Sequence, residues 1–130
     1  MYPLMSFLTL ERGIRLREIG SMSNITDTGK YAVQVAEVPP EEVTPGIVRR
    51  PLPKTDNARG WLIDFAPGTE WPEVDVHASE ERYYVLNGEV IEGEERHGPG
   101  SYVVFAPGSS HRPRSDIGAT ILGWTDLPGA

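Results

Sequence analysis

Strand-sized apolar runs recur about every eight to twelve residues along this chain, each closed by glycine or proline, and no stretch offers a convincing long helix. The readable runs are Tyr31–Val38, Ile47–Val48, Trp61–Phe65, Arg82–Leu86, Ser101–Phe105 and Ala119–Trp124. Within them the apolar residues alternate, as Trp61, Ile63 and Phe65 do, which is the period of a strand with one buried face. Between them lies turn chemistry. Pro39–Pro45 reads as a connection, Pro51 and Pro53 end the Ile47 run, and Ala66-Pro67-Gly68 and Ala106-Pro107-Gly108 reverse the chain. Asn87-Gly88 is the strongest short hairpin signal and predicts that Glu89–Glu92 returns beside Arg82–Leu86. Gly93–Gly100 reads as a polar loop, and His111–Arg114 as short and extended. The 14 glycines and 12 prolines are spread between the runs, so they mark many turns and not disorder. The expected class is all-β, a sandwich or a closed barrel; the spacing alone does not choose.

A chain of 130 residues suits one domain. The division expected is a barrel over residues 31–130 and an N-terminal extension over residues 1–30. In that extension Leu8, Leu10, Ile14 and Leu16 alternate with Thr9, Glu11, Arg15 and Arg17, which predicts a strand. It would lie along a sheet edge, of a partner subunit for example, or fray. The opening MYPLMSFLTLERG has no basic residue before its apolar patch and no small-residue cleavage site, so it reads as mature protein, with Met22 an alternative start. No apolar run approaches transmembrane length, and a cytoplasmic location is expected.

The absence of cysteine removes disulfides, thiolate ligands and thiol nucleophiles. A net charge of -7 argues against nucleic acid or an anionic membrane as partner. Residues 1–60 carry 8 basic and 7 acidic side chains, whereas residues 61–130 carry 4 and 12. The acidic half suits a cation, and it holds the residues of most chemical interest. In an extended segment Glu73, Asp75 and His77 share a face, with Val74 and Val76 on the other. Several ionisable groups on one inward face are costly unless a cation pairs them. Glu81 follows His77 across a short link and shares a face with Tyr83 and Val85, so a tight turn would aim Glu81 and His77 at one point. Imidazole and carboxylate suit iron(II), manganese, nickel, cobalt or zinc. Taken singly, each of these residues is also what an exposed, solvated sheet face carries. His111 alone reads as a surface histidine after a Pro-Gly turn, and His97 has no assigned role.

Two separated segments, taken together, resemble the cupin superfamily, whose first motif is G-x5-H-x-H-x3,4-E-x6-G and second G-x5-P-x-G-x2-H-x3-N. Here the first reads Gly68, Asp75-Val76-His77, three residues, Glu81, six residues, Gly88. The second reads Gly100, SYVVF, then Ala106-Pro107-Gly108-Ser109-Ser110-His111. The runs PGTEWP, SEERYYVLNGEV and GPGSYVVFAPGSSH are similar to the cupin half of ChrR-type anti-sigma factors and their stand-alone relatives. The resemblance spans residues 45–125 and implies a single-domain jelly-roll barrel. Carried over by position, it implies metal ligands at Asp75, His77, Glu81 and His111. Three positions depart from the motif: Asp75 replaces the first histidine one residue late, Ala106-Pro107 shifts the proline, and Ser115 stands where asparagine is frequent. The aspartate makes the donor set two neutral and two anionic, which favours iron or manganese over zinc; it is also compatible with a barrel that has given up its metal.

Two functions are implied. The first is a mononuclear metal enzyme, an oxygenase or a Lewis-acid cyclase, isomerase or lyase, acting on an enol, keto acid or diketone. In it Glu81 or Asp75 would double as a general base if either leaves the metal, and Tyr83 would donate a hydrogen bond near the metal. The second is a non-catalytic module that senses a metal or ligand. Arg112 and Arg114 would reach an anionic substrate only if turned inward, and a surface position is expected. Trp61 and Trp124 are expected in the core or at the rim. The partners expected are a small molecule and a second copy of the chain, as a homodimer.

Overall fold

The computed structural model describes residues 29–128. The expected strand between Leu8 and Arg17 lies outside that range. Among the described residues twelve strands follow one another: β1 Glu41–Thr44, β2 Ile47–Lys54, β3 Ala58–Phe65, β4 Thr69–Glu70, β5 Asp75–Val76, β6 Glu81–Gly88, β7 Val90–Glu92, β8 Glu95–His97, β9 Tyr102–Phe105, β10 Ser110–His111, β11 Arg114–Ser115 and β12 Ala119–Asp126. They form a six-stranded sheet in the order β9-β6-β12-β3-β2-β1, a four-stranded sheet β4-β11-β7-β8, and the pair β10-β5. This is the all-β jelly-roll barrel. No helix among the described residues is long and apolar enough to cross a membrane.

The three central strands pair side by side, with one register shift between β12 and β6 at Thr120/Ile121, and their partnered residues form rows: Phe65–Ala119–Gly88, Ile63–Ile121–Val85, Trp61–Gly123–Tyr83 and Arg59–Thr125–Glu81. The first two rows are apolar and buried, with Ile47 and Val90 packed into the same core. Gly123 has no side chain because none would fit. A Cβ there would lie 2.2 Å from the Arg82 carbonyl and 2.6 Å from the Trp61 ring. Pairing and alternation thus set the barrel's depth, and the fourth row reaches its mouth.

Several local expectations are corrected. Tyr31–Val38 is not a strand: it holds a 3-10 turn at Val35–Glu37 with no buried residue, because an alternating pattern without a paired neighbour has nothing to bury. Pro39–Pro45 is more than a connection, since Glu41–Thr44 forms an edge strand on β2. Pro51 and Pro53 do not end β2. β1 pairs with it only over Ile47–Arg49, so the prolines fall where that flank demands no N–H. Asn87-Gly88 is no hairpin turn: β6 runs through it and β7 joins the other sheet. Gly88 takes φ 73° where the chain crosses between sheets, and a Cβ would lie 2.0 Å from the Gly118 carbonyl. The segment Gly93–Gly100 contains β8, which pairs with β7 around Gly93.

Candidate metal centre

The first motif enters the barrel mouth through β5. Asp75 on β5 is the direct cross-strand partner of His111 on β10, which brings the two motifs together. The turn after β9 is tied to the same place: the His77 amide donates to the Ser109 carbonyl at 2.8 Å, and the Gly108 amide donates to the His77 carbonyl at 2.7 Å. Glu81 opens β6, between Phe105 on β9 and Thr125 on β12.

Asp75, His77, Glu81 and His111 each offer one donor atom to a common point, and these atoms lie within 4.8 Å of one another. His77 Nδ1 is 3.5 Å from Glu81 Oε1 and 4.0 Å from Asp75 Oδ2. His111 Nε2 is 3.5 Å from Asp75 Oδ2 and 3.8 Å from Glu81 Oε2. Donors bound at about 2.1 Å in a tetrahedron stand about 3.4 Å apart, so a contraction of a few tenths of an ångström closes this set on a cation. His77 is buried, and its Nε2, the ring nitrogen other than the one approaching Glu81 and Asp75, has no hydrogen-bond partner among the described residues. One further feature fits a metal. The two carboxylates converge on one point and balance a divalent charge.

The donors are braced from behind. His111 Nδ1 donates to both oxygens of Glu92 at 3.1 Å, which fixes the tautomer that turns Nε2 toward Asp75 and Glu81. The Tyr83 hydroxyl donates to Glu92 Oε2 at 2.6 Å. Trp61 Nε1 donates to Thr125 Oγ1 at 3.1 Å, and Thr125 donates to Glu81 Oε1 at 2.9 Å. Phe105 packs beside both imidazoles, with ring centroids 5.0 Å from His77 and 4.3 Å from His111.

These contacts shape the proton affinities. Burial raises the pKa of Glu81 and Asp75 adds to it, outweighing the pull of His77, the Thr125 hydrogen bond and His111. Burial opposes protonation of His111, yet the hydrogen bond and charge of Glu92, with Glu81 and Asp75 behind it, raise its pKa above 6.5. Burial, then the Glu92 charge, pushes the Tyr83 phenol far up, so it stays a donor.

Of the residues singled out from sequence, Asp75, His77, Glu81 and His111 meet. The Tyr83 hydroxyl is one step removed, on Glu92. Glu73 is exposed in the bend before β5 and takes no part. Arg112 is exposed and donates to the carbonyls of Trp71 and Pro72, and Arg114 donates to Gly93. Trp61 is buried, while Trp124 is on the outer face beneath the Arg82 guanidinium. Sequence reasoning missed Glu92, Thr125 and Phe105. Thr125 was findable as a polar residue on the inward alternation of β12. Glu92 was not, because it reaches the site from the opposite sheet.

The cluster opens into a cavity of about 490 Å³, walled by Trp61, Phe65, Trp71 and Ile121 among others. That volume suits a small organic molecule.

The model of the ChrR Cupin-like domain matches residues 28–125. No curated protein matches the sequence. Among solved structures, an RmlC-like cupin from Shewanella frigidimarina superposes with a TM-score of 0.66 at 19% identity, over 75% of this chain and 90% of that one. A chain of the complex of Rhodobacter sphaeroides SigE with the anti-sigma ChrR gives 0.64 at 22% identity, over 72% of this chain and 51% of that one, so the match spans about half its length. An acetylacetone dioxygenase from Acinetobacter johnsonii gives 0.68 at 13% identity, over 79% and 78%. At these identities the likeness is one of fold.

Proposed function

This chain belongs to the ChrR cupin-like family, and from that premise we propose that it is a mononuclear metal enzyme acting on a small organic substrate. The observation that carries the reading is the convergence of two imidazoles and two carboxylates on the lining of a cavity whose wall also includes Trp61, Phe65 and Trp71. Asp75, His77, Glu81 and His111 would hold one divalent transition metal, with iron(II) or manganese favoured by the two-anion donor set. When bound, the ion supplies Lewis acidity toward a carbonyl or enol oxygen.

The protein's own groups do the rest. Glu81, when released from the metal, would be the base that takes a proton from a carbon acid at an Oε atom. Tyr83 acts through Glu92 by holding the His111 ring in one orientation. Trp61, Phe65 and Trp71 keep water from the reacting face. A homodimer in the cytoplasm is part of the proposal. The outer face of the large sheet exposes Tyr84, Leu86, Tyr102, Val104, Leu122 and Trp124, and light scattering tests it.

The decisive experiment pairs elemental analysis of freshly purified protein with product formation and oxygen uptake on a panel of diketones and keto acids. About one equivalent of metal and turnover are expected. Protein that holds no metal, and gains no melting temperature with added iron(II), manganese or zinc, overturns the reading. Metal and ligand binding without turnover favours the second reading, a non-catalytic sensing module, which the likeness to a chain of the SigE–ChrR complex supports.

A further inference from the structure

The cavity has a second charged wall, opposite in sign to the metal cluster. Arg49, Lys54 and Arg59 line the same space as Asp75, His77 and Glu81. Strand alternation puts Arg59 on the inner face of β3, in line with Trp61, Ile63 and Phe65, which are 4–6% exposed. Arg49 pairs with Ile63 and so shares that inner face on β2. Inward positions of a barrel sheet are where apolar residues are expected, and a chain of net charge -7 has few cations to place there. Lys54 and Arg59 are moreover direct cross-strand partners, so two positive charges stand side by side at this edge of the cavity. Arg49 has a carboxylate neighbour, Glu41 at 3.7 Å. Arg59 makes no ion pair or side-chain hydrogen bond with any described residue.

The distance across the cavity follows from the register. Arg59 pairs with Thr125, and Thr125 pairs with Glu81. At a strand spacing of about 4.8 Å, Arg59 and Glu81 stand about 10 Å apart at the backbone, with side chains reaching inward from both ends. A short molecule with a carboxylate at one end and a carbonyl or enol oxygen at the other spans that gap.

We propose that the cavity binds a small organic anion, its carboxylate held by Arg59 with Lys54 and Arg49 beside it, and its reactive oxygen turned to the Asp75–His77–Glu81–His111 cluster. This rests on the metal-enzyme reading and narrows its substrate class to keto or enol acids, setting neutral diketones aside. The guanidinium fork grips a carboxylate in two hydrogen bonds, while Lys54 contributes charge without fixed geometry. Arg59 sits at the exposed lip, so its attraction is screened by salt.

The test is calorimetric titration of metal-loaded protein, its metal content verified by elemental analysis, with acetoacetate against methyl acetoacetate and pyruvate against methyl pyruvate. Each acid is expected to bind about tenfold more tightly than its ester. That preference should shrink with added sodium chloride, vanish in Arg59→Gln, and largely survive in Arg59→Lys. Arg112→Gln, on the outer surface, should leave it unchanged. A filled metal site with esters binding as well as acids overturns this inference alone, as does one where no acid of the panel binds or where Arg59→Gln keeps the preference. Protein that holds no metal sinks the metal reading, and this inference with it.

Discussion

The two ends of the barrel interior are built on the same three strands and could hardly differ more. At the closed end the inward rows are Phe65–Ala119–Gly88 and Ile63–Ile121–Val85, apolar and within 5% of complete burial at every side chain. At the mouth, after the Trp61–Gly123–Tyr83 row, the same alternation delivers Arg59, Thr125 and Glu81. Burial at the closed end supplies stability, at about 25 cal/mol per Å² of apolar surface removed from water. Convergent charge at the mouth does the opposite when no cation is present. One sheet therefore separates holding together from doing chemistry by position along the strand.

Two substitutions should pull the ends apart. The larger effect is expected from His77→Ala, which removes a buried donor from the mouth. Elemental analysis should find no bound metal, while circular dichroism still reports the β fold. If the variant unfolds instead, the mouth carries the fold as well and the separation fails. Ile121→Ala digs into the closed end and should cost about 2–5 kcal/mol in a denaturant titration. Its metal content should stay at that of the parent protein.

Glu92→Gln sharpens the comparison, because Glu92 comes from β7 on the opposite sheet and touches no converging donor except through the far nitrogen of His111. A neutral amide can still accept that hydrogen bond but no longer charges the imidazole. Metal affinity should fall about 10–100-fold, with melting of the metal-free protein little changed. An unaltered affinity would mean that ring packing on Phe105 alone orients His111.

How much of this was legible depended on distance along the chain. Trp61, Ile63 and Phe65 announce their strand because alternation is a local signal. Asp75, His77 and Glu81 lie within seven residues of one another, so their convergence needs only one tight turn, and His111 joined them through the spacing of the second motif. Glu92 and Arg59 had no such help: their places follow from which strands pair, and that is settled by the whole barrel. Asn87-Gly88 misled for the same reason. Gly88 does take a positive φ, but tertiary pairing uses the bend to cross between sheets instead of closing a hairpin.

The smallest expected effect is a drift with pH, and it arises at the mouth. Glu81 and His111 both have folded pKa values raised above their ordinary 4.5 and 6.5. A raised folded pKa means that the native state binds the proton more tightly than the unfolded chain does. The resulting stability is complete below the unfolded pKa and is lost as pH rises through the folded one. Metal-free protein should accordingly become less stable upward from about pH 4.5, where Glu81 of the unfolded chain ionises while the folded one still holds its proton, and further above about 6.5, where the same holds for His111. A metal must displace those same protons, so its affinity rises over the same window. The gap in melting temperature between metal-loaded and metal-free protein should therefore widen with pH, and in His77→Ala it should stay closed. A gap that narrows with rising pH would mean that protons at Glu81 and His111 do not compete with the ion, and that the donors lie elsewhere.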